Sequence, residues 1–118
     1  MSIYETGDGK IWVSDRVDLW EYDGEQWSVV YTKIDQVHWM ITSRDGRIWL
    51  AAFSGVYCYH KGSWVTHTIE EGLPPVFIWE IFEDSGGRIW AGTAEGVSLY
   101  YPEADKDPPV IRLDPNNQ

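Results

Sequence analysis

Gly87-Arg88-Ile89-Trp90 is the third occurrence of a phrase that also stands at Gly9-Lys10-Ile11-Trp12 and Gly46-Arg47-Ile48-Trp49. The three tryptophans are 37 and 41 residues apart (49 − 12 and 90 − 49). Recurrence at such a period is typical of repeat architectures in which each unit is one supersecondary element. The chain of 118 residues is therefore predicted to contain three units.

The repeat extends beyond this phrase into a wider set of aromatic residues. A tyrosine follows each phrase tryptophan by ten residues, at Tyr22, Tyr59 and Tyr100. In the first two units a second tryptophan follows at Trp27 and Trp64. Residues that recur with the structural period are expected to pack one unit on the next. We assign this inter-unit packing role to six residues: Trp12, Trp49, Trp90, Tyr22, Tyr59 and Tyr100.

Each unit is predicted to be a small antiparallel sheet. Eight tryptophans and seven tyrosines favour strands, and regular turn signals cut the chain into pieces of strand length. In the second unit, residues 37–42, 47–52, 56–60 and 64–68 are predicted as four strands. Four short antiparallel strands form one blade of a β-propeller, so the chain is predicted to be all-β with three such blades.

The second strand of each unit is apolar on both faces, as in Ile48-Trp49-Leu50-Ala51-Ala52. Continuous apolar runs of this kind indicate a sheet that is covered on both sides. A blade lying between two neighbouring blades meets that requirement. We place blade 1 at about residues 1–34, blade 2 at about 35–70 and blade 3 at about 71–113, followed by a tail at 114–118.

The third unit has the most specific sequence. It contains Gly-Leu-Pro at 72–74, an apolar strand ending in Glu-Asp at 83–84, Gly-Arg-Ile-Trp-Ala-Gly-Thr at 87–93 and Gly-Val-Ser-Leu-Tyr at 96–100. This order resembles the repeat of the two-component regulator propeller family. The first unit departs from the pattern, with Asp18 where the others have Gly55 and Gly96. The resemblance implies the sensory part of a regulator, outside the cytoplasmic membrane and associated with carbohydrate sensing.

Composition limits the classes of partner. Nine basic and nineteen acidic residues give a net charge of −10, which repels nucleic acid and anionic membrane surfaces. The single cysteine, Cys58, excludes an internal disulfide and is predicted to be a small buried apolar residue. The N-terminal residues show no signal peptide, so the chain as written is expected in the cytoplasm. If it is part of a larger protein, the resemblance implies a periplasmic or extracellular place.

Three blades are too few for a ring, because closed propellers have typically four to eight. Apolar residues occur on both sides of the first and third units, and such faces are normally covered. We therefore predict head-to-tail assembly of the chain with itself, which gives six blades as a dimer or nine as a trimer. The dimer is favoured. The alternatives are a minimal structural unit, or a piece of a longer propeller, with no ligand of its own.

The innermost strands should line the central channel, whose mouth is where propellers commonly hold ligands. There we predict a site for a carbohydrate or another small ligand at His38, Trp39, Trp79 and Glu80. Aligning Trp39 with Trp79 makes His38 and Glu80 the polar residues that do not repeat. As an acid and base pair they would suit a lyase of the virginiamycin lyase type. Non-enzymatic binding is preferred, with no catalytic residue, metal or cofactor assigned.

Overall fold

The computed structural model describes residues 1–53, 55–68, 78–93, 96–100 and 110–113, and these form three four-stranded antiparallel sheets. Sheet I contains β1 (Ser2–Glu5), β2 (Ile11–Ser14), β3 (Leu19–Tyr22) and β4 (Trp27–Tyr31). Sheet II contains β5 (Trp39–Thr42), β6 (Ile48–Ala52), β7 (Gly55–His60) and β8 (Ser63–Thr68). Sheet III contains β9 (Ile78–Glu83), β10 (Ile89–Thr93), β11 (Gly96–Tyr100) and β12 (Val110–Leu113).

In every sheet the strands are hydrogen-bonded in chain order, so each sheet is an up-and-down meander. This confirms the predicted all-β class and the three four-stranded blades. The Gly-Leu-Pro phrase at 72–74 and the tail at 114–118 lie outside the described residues. Within the described part of the chain, no helix is long and apolar enough to cross a membrane.

The same tight turn leads into the second strand of every sheet. In sheet I, Thr6 N donates to Lys10 O at 2.8 Å and Gly9 N donates to Thr6 O at 3.0 Å. The same two bonds recur at Ser43 with Arg47 and Gly46, and at Asp84 with Arg88 and Gly87. The three glycines have φ angles of 87°, 90° and 84°. Because a side chain is strained in that region, the glycine of the repeated phrase is explained by backbone geometry.

Strand β6 lies between two hydrophobic cores, and all five of its residues are buried. Its side chains alternate between two cores, as a strand buried on both faces requires. Ile48, Leu50 and Ala52 pack toward sheet I, whereas Trp49 and Ala51 pack toward sheet III. Burying a large apolar side chain contributes about 1.5–3 kcal/mol, so the two cores are the main source of inter-sheet stability.

Candidate functional site: inner strands and end faces

Trp12 and Trp49, the phrase tryptophans of sheets I and II, each face the sheet that follows in the chain. Trp12 and Trp49 are each 1% exposed and lie in the two cores between sheets. Their indole N–H groups bond within their own sheet, Trp12 Nε1 to Glu21 Oε1 at 3.0 Å and Trp49 Nε1 to Ser43 Oγ at 3.3 Å. The apolar body of each ring is therefore left for the neighbouring sheet.

Trp12 docks on a pair of aromatic rings in sheet II. It meets Tyr59 edge-on with ring centroids 5.2 Å apart and stacks on Trp64 at 6.0 Å. Tyr59 and Trp64 are themselves 5.0 Å apart. Offset and edge-on arrangements at these distances are the favourable ones for aromatic rings. A tyrosine and tryptophan pair on one sheet thus forms the seat for the phrase tryptophan of the sheet before it.

The outer face of sheet I carries a second pair of this kind. Tyr22 and Trp27 are partners across β3 and β4, and their ring centroids are also 5.0 Å apart. This face contains large apolar side chains that remain exposed: Ile3 at 70%, Trp27 at 52% and Val29 at 43%. The side chain of Tyr100, the corresponding tyrosine of the third unit, lies outside the described residues.

The outer face of sheet III carries the third phrase tryptophan. Trp90 is half-buried, and its cross-strand partner Phe82 is 59% exposed. Trp90 Nε1 donates to Asp84 Oδ2 at 2.8 Å. This bond, with the N–H groups of Arg88 and Gly86, lowers the pKa of the Asp84 carboxyl to about 2. The carboxylate therefore holds the indole in place while the ring faces outward.

His38 lies directly before β5 and reaches across to sheet III. Its Nε2 bonds to Ile78 O at 2.5 Å. Because a carbonyl oxygen can only accept, the proton must be on Nε2. The ring of Phe53 lies 6.0 Å from the imidazole, centroid to centroid. The imidazole thus joins sheet II to the inner strand of sheet III.

Trp39 makes a second link of the same kind. It is 39% exposed, and its Nε1 donates to Ile81 O at 3.1 Å. His38, just before β5, and Trp39, its first residue, therefore both bind backbone carbonyls of β9. Both residues position the inner strand of the next sheet, which is a structural contribution that the sequence did not indicate.

Trp79 and Glu80 lie in an irregular part of β9. Glu80 pairs with Gly92 and Ile78 pairs with Thr93, which leaves Trp79 in a bulge. Since Trp39 pairs with Ala51, the counterpart of Gly92, Trp39 corresponds to Glu80. The alignment of Trp39 with Trp79 is wrong by this one inserted residue. Trp79 is 59% exposed and Glu80 is also exposed.

His38 and Glu80 do not form the acid and base pair that the lyase alternative requires. The Cγ of Glu80 lies 3.7 Å from where a Cβ on Gly92 would stand, which places it on the Trp90 face of sheet III. His38 approaches β9 from sheet II, on the other side. Inner strand β9 separates the two groups. Among the residues that the structure describes, no three His, Cys, Asp or Glu side chains could share a metal ion.

Sequence reasoning missed the polar contact between sheets II and III. Arg44 N donates to the carboxylate of Glu83 at 3.0 and 3.2 Å, and Arg44 Nη2 donates to Asp84 O at 2.6 Å. The side chains of Arg44 and Glu83 form an ion pair, with Nε and Oε2 3.4 Å apart. Arg44 lies five residues before Trp49, where the other units have Gly7 and Ser85. A comparison of the units at this position shows a non-repeating arginine.

Comparison with known proteins supports the family resemblance of the third unit and the fold of the whole. Residues 72–95 match the family model described as two component regulator propeller. The extracellular domain of a protein described as a hybrid two component system from B. thetaiotaomicron is 26% identical over 83% of this chain, with a TM-score of 0.68. No curated protein matches the sequence.

Two further solved structures show the fold alone, because their identities are low. Virginiamycin B lyase from Staphylococcus aureus is 17% identical over 98% of this chain, with a TM-score of 0.73. A protein described as a gluconolactonase is 14% identical over 96%, with a TM-score of 0.57. The chain spans 15%, 41% and 47% of the three solved chains, so it matches less than half of each. The three sheets are consecutive blades of a β-propeller.

Proposed function

We propose that this chain is a non-enzymatic β-propeller module for sensing, whose ring is completed when sheet III of one copy packs on sheet I of another. The observation that carries the proposal is the Tyr22 and Trp27 pair on the outer face of sheet I. It has the same 5.0 Å ring separation as the Tyr59 and Trp64 pair that seats Trp12. The molecule therefore contains, between its own sheets, the template of the contact that we propose between copies.

Trp90 is the group that fits this seat. It is the counterpart of Trp12 and Trp49, and it stands on the opposite end face with its indole N–H already held by Asp84. Docking it on Tyr22 and Trp27 would bury rings that are now half-exposed. Coverage of such faces removes apolar surface from water, which is the main favourable term in association.

The contact is head-to-tail, so it produces a ring when the rotation between copies closes. Two copies give six blades, within the usual range of four to eight, whereas three copies give nine. The dimer is therefore the favoured assembly. In a longer propeller the same two faces would instead meet further blades of one polypeptide, and the three-blade unit would be structural with no ligand of its own.

The sensing role rests on the extracellular two component domain, which is 26% identical to this chain. At the channel, His38 and Trp39 are engaged with the backbone of β9, so they fix the position of that strand. Trp79 and Glu80 are exposed and are the groups that a carbohydrate or another small ligand would meet. The separation of His38 from Glu80 by β9 argues against the lyase alternative.

The test is the native mass, measured by light scattering behind size exclusion over a range of concentrations. A mass of twice 13.6 kDa supports the six-bladed ring, and three times that mass supports nine blades. A monomer at micromolar concentration and above overturns self-assembly. Binding to the assembled ring is then screened by thermal shift, since a ligand of the native state must raise the midpoint of unfolding.

A further inference from the structure

A cavity of about 390 Å³ opens between sheets I and II, beside the turns that lead into their second strands. It lies at the interface of two blades, away from the channel residues described above. Its walls combine glycines with charged side chains, among them Gly7, Gly46, Lys10, Lys61, Asp8 and Glu21. Cavities of this volume hold small-molecule ligands in other proteins.

The matching space between sheets II and III is filled by Arg44. Its Nη2 lies 3.9 Å from where a Cβ on Gly87 would stand, and its side chain is held by Glu83. Between sheets I and II, Gly7 occupies the position of Arg44 and Thr42 occupies that of Glu83. Among the described residues, and apart from its two chain neighbours, no atom lies within 4 Å of the Cβ position of Gly46, the counterpart of Gly87. The cavity between sheets I and II therefore lies where an arginine side chain fills the corresponding space between sheets II and III.

The cavity contains two ammonium groups and two carboxylates. Lys10 Nζ forms ion pairs with Asp8 Oδ2 at 3.6 Å and Glu21 Oε2 at 3.9 Å, both longer than a hydrogen bond. In the part of the chain that the structure describes, Lys61 makes no ion pair. Each carboxylate also accepts a hydrogen bond, Asp8 from Thr6 Oγ1 and Glu21 from Trp12 Nε1.

We propose that this cavity binds a small carboxylate that also carries hydroxyl groups. The ammonium groups of Lys10 and Lys61 donate to its carboxylate, and the Thr42 hydroxyl and the Tyr59 ring provide polar and apolar contact for the rest. Charge-assisted bonds of this kind are the stronger ones in proteins. A cavity of this size accommodates a molecule such as a hexuronic acid. The site lies within one chain, so it does not depend on ring closure.

The test is an NMR titration of the full chain with D-glucuronate, followed at the indole N–H of Trp12, whose partner Glu21 lines the cavity. D-glucose is the matched neutral probe, because it differs only at C6, where a hydroxymethyl group replaces the carboxylate. Saturable shifts with glucuronate and at least tenfold weaker binding of glucose are expected. No saturable shift with glucuronate, or equal binding of the two sugars, overturns the proposal.

Two variants locate the site. Gly7→Arg with Thr42→Glu transplants the ion pair of the next interface into the cavity without changing the net charge. The backbone of Gly7 is outside the left-handed region, so a side chain is tolerated there. This variant should lose glucuronate binding while it remains folded, although Thr42→Glu removes the hydrogen bond between Tyr4 Oη and Thr42 Oγ1. If the double variant fails to fold, Gly7→Gln is used instead, because its smaller side chain also fills part of the cavity.

Lys61→Met keeps the bulk of the side chain and removes the ammonium group. It should weaken glucuronate binding by roughly ten- to a hundredfold, as expected for loss of a charge-assisted hydrogen bond. Gln26→Lys, which alters an exposed turn residue outside the cavity, is the control and should leave the affinity unchanged. Unaltered affinity in Lys61→Met, or retained binding in a folded variant at Gly7, overturns the assignment.

Discussion

Replacing Trp27 by alanine should break the proposed ring, and the structure sets the size of the effect. A tryptophan buries about 150–250 Å² when it is covered. Trp27 is 52% exposed, so about half of that area, roughly 100 Å², remains available to a partner. At about 25 cal/mol per Å² the substitution removes about 2.5 kcal/mol at each contact between copies.

A closed dimer contains that contact twice, so the total loss is about 5 kcal/mol. The dissociation constant of the dimer should therefore rise by three to four orders of magnitude, since about 1.4 kcal/mol corresponds to tenfold. The measurement is sedimentation equilibrium, or light scattering across a dilution series, with the unfolding midpoint of the monomer followed in parallel. The one ring contact described for Trp27 is with Tyr22. The monomer should therefore remain folded when Trp27 is replaced.

Phe53→Ala is the matched control. Phe53 is 48% exposed, close to the value for Trp27, but it lies beside His38 and on neither end face. The Phe53→Ala variant should have the same dissociation constant for the proposed dimer as the unaltered chain. If Trp27→Ala and Phe53→Ala shift the dissociation constant equally, or if neither shifts it, the template argument from Tyr59 and Trp64 is refuted.

Three further predictions concern the single chain. Leu50 is a fully buried residue of β6, so Leu50→Ala should lower the free energy of unfolding, measured by urea titration, by about 2–5 kcal/mol. A decrease of less than about 1 kcal/mol would contradict burial of β6 on both faces. The pKa of Asp84 is lowered, mainly by the Trp90 indole N–H, from 3.8 to about 2, so its stabilisation is complete above pH 3.8 and is lost as the pH falls toward 2. Asp84→Asn should therefore show a shallower fall of the melting temperature between pH 4 and 2, measured by circular dichroism, and an equal slope would disprove this role. Burial raises the pKa of Cys58 to about 12, so the native thiol should resist alkylation at pH 8 and react on unfolding, whereas rapid labelling of the native chain would show an accessible thiol.

The fold could be predicted largely because its local signals agree. The glycine of each repeated phrase has a positive φ, and the apolar run of β6 is buried on both faces, as the pattern indicated. The predicted strand at 47–52 and the observed Ile48–Ala52 differ by one residue. These features depend on short stretches of chain, so they can be read from residue type and spacing.

The channel residues were harder, because their geometry depends on register. The bulge at Trp79 adds one residue to β9, and nothing in the local sequence marks where the pairing shifts. His38 and Trp39 bond to carbonyls of β9 that are about 40 positions away in the chain. Every residue has a backbone carbonyl, so the residue type of the acceptor does not indicate such a bond. The structure was needed to show that these side chains hold sheets together.

The contact between turns explains how one repeat produces two different interfaces within the chain and what a third, between copies, would look like. The residue five before each phrase tryptophan meets the residue seven before the next one, as Arg44 meets Glu83. In the first interface this pair is Gly7 and Thr42, and a cavity opens. In the proposed closing interface the pair would be Ser85 with Glu5 of the second copy, so the Ser85 N–H would meet a carboxylate as the Arg44 N–H does. Closing the ring would therefore keep the backbone bond without the arginine, and a six-bladed dimer would hold two cavities, on opposite sides of its two-fold axis.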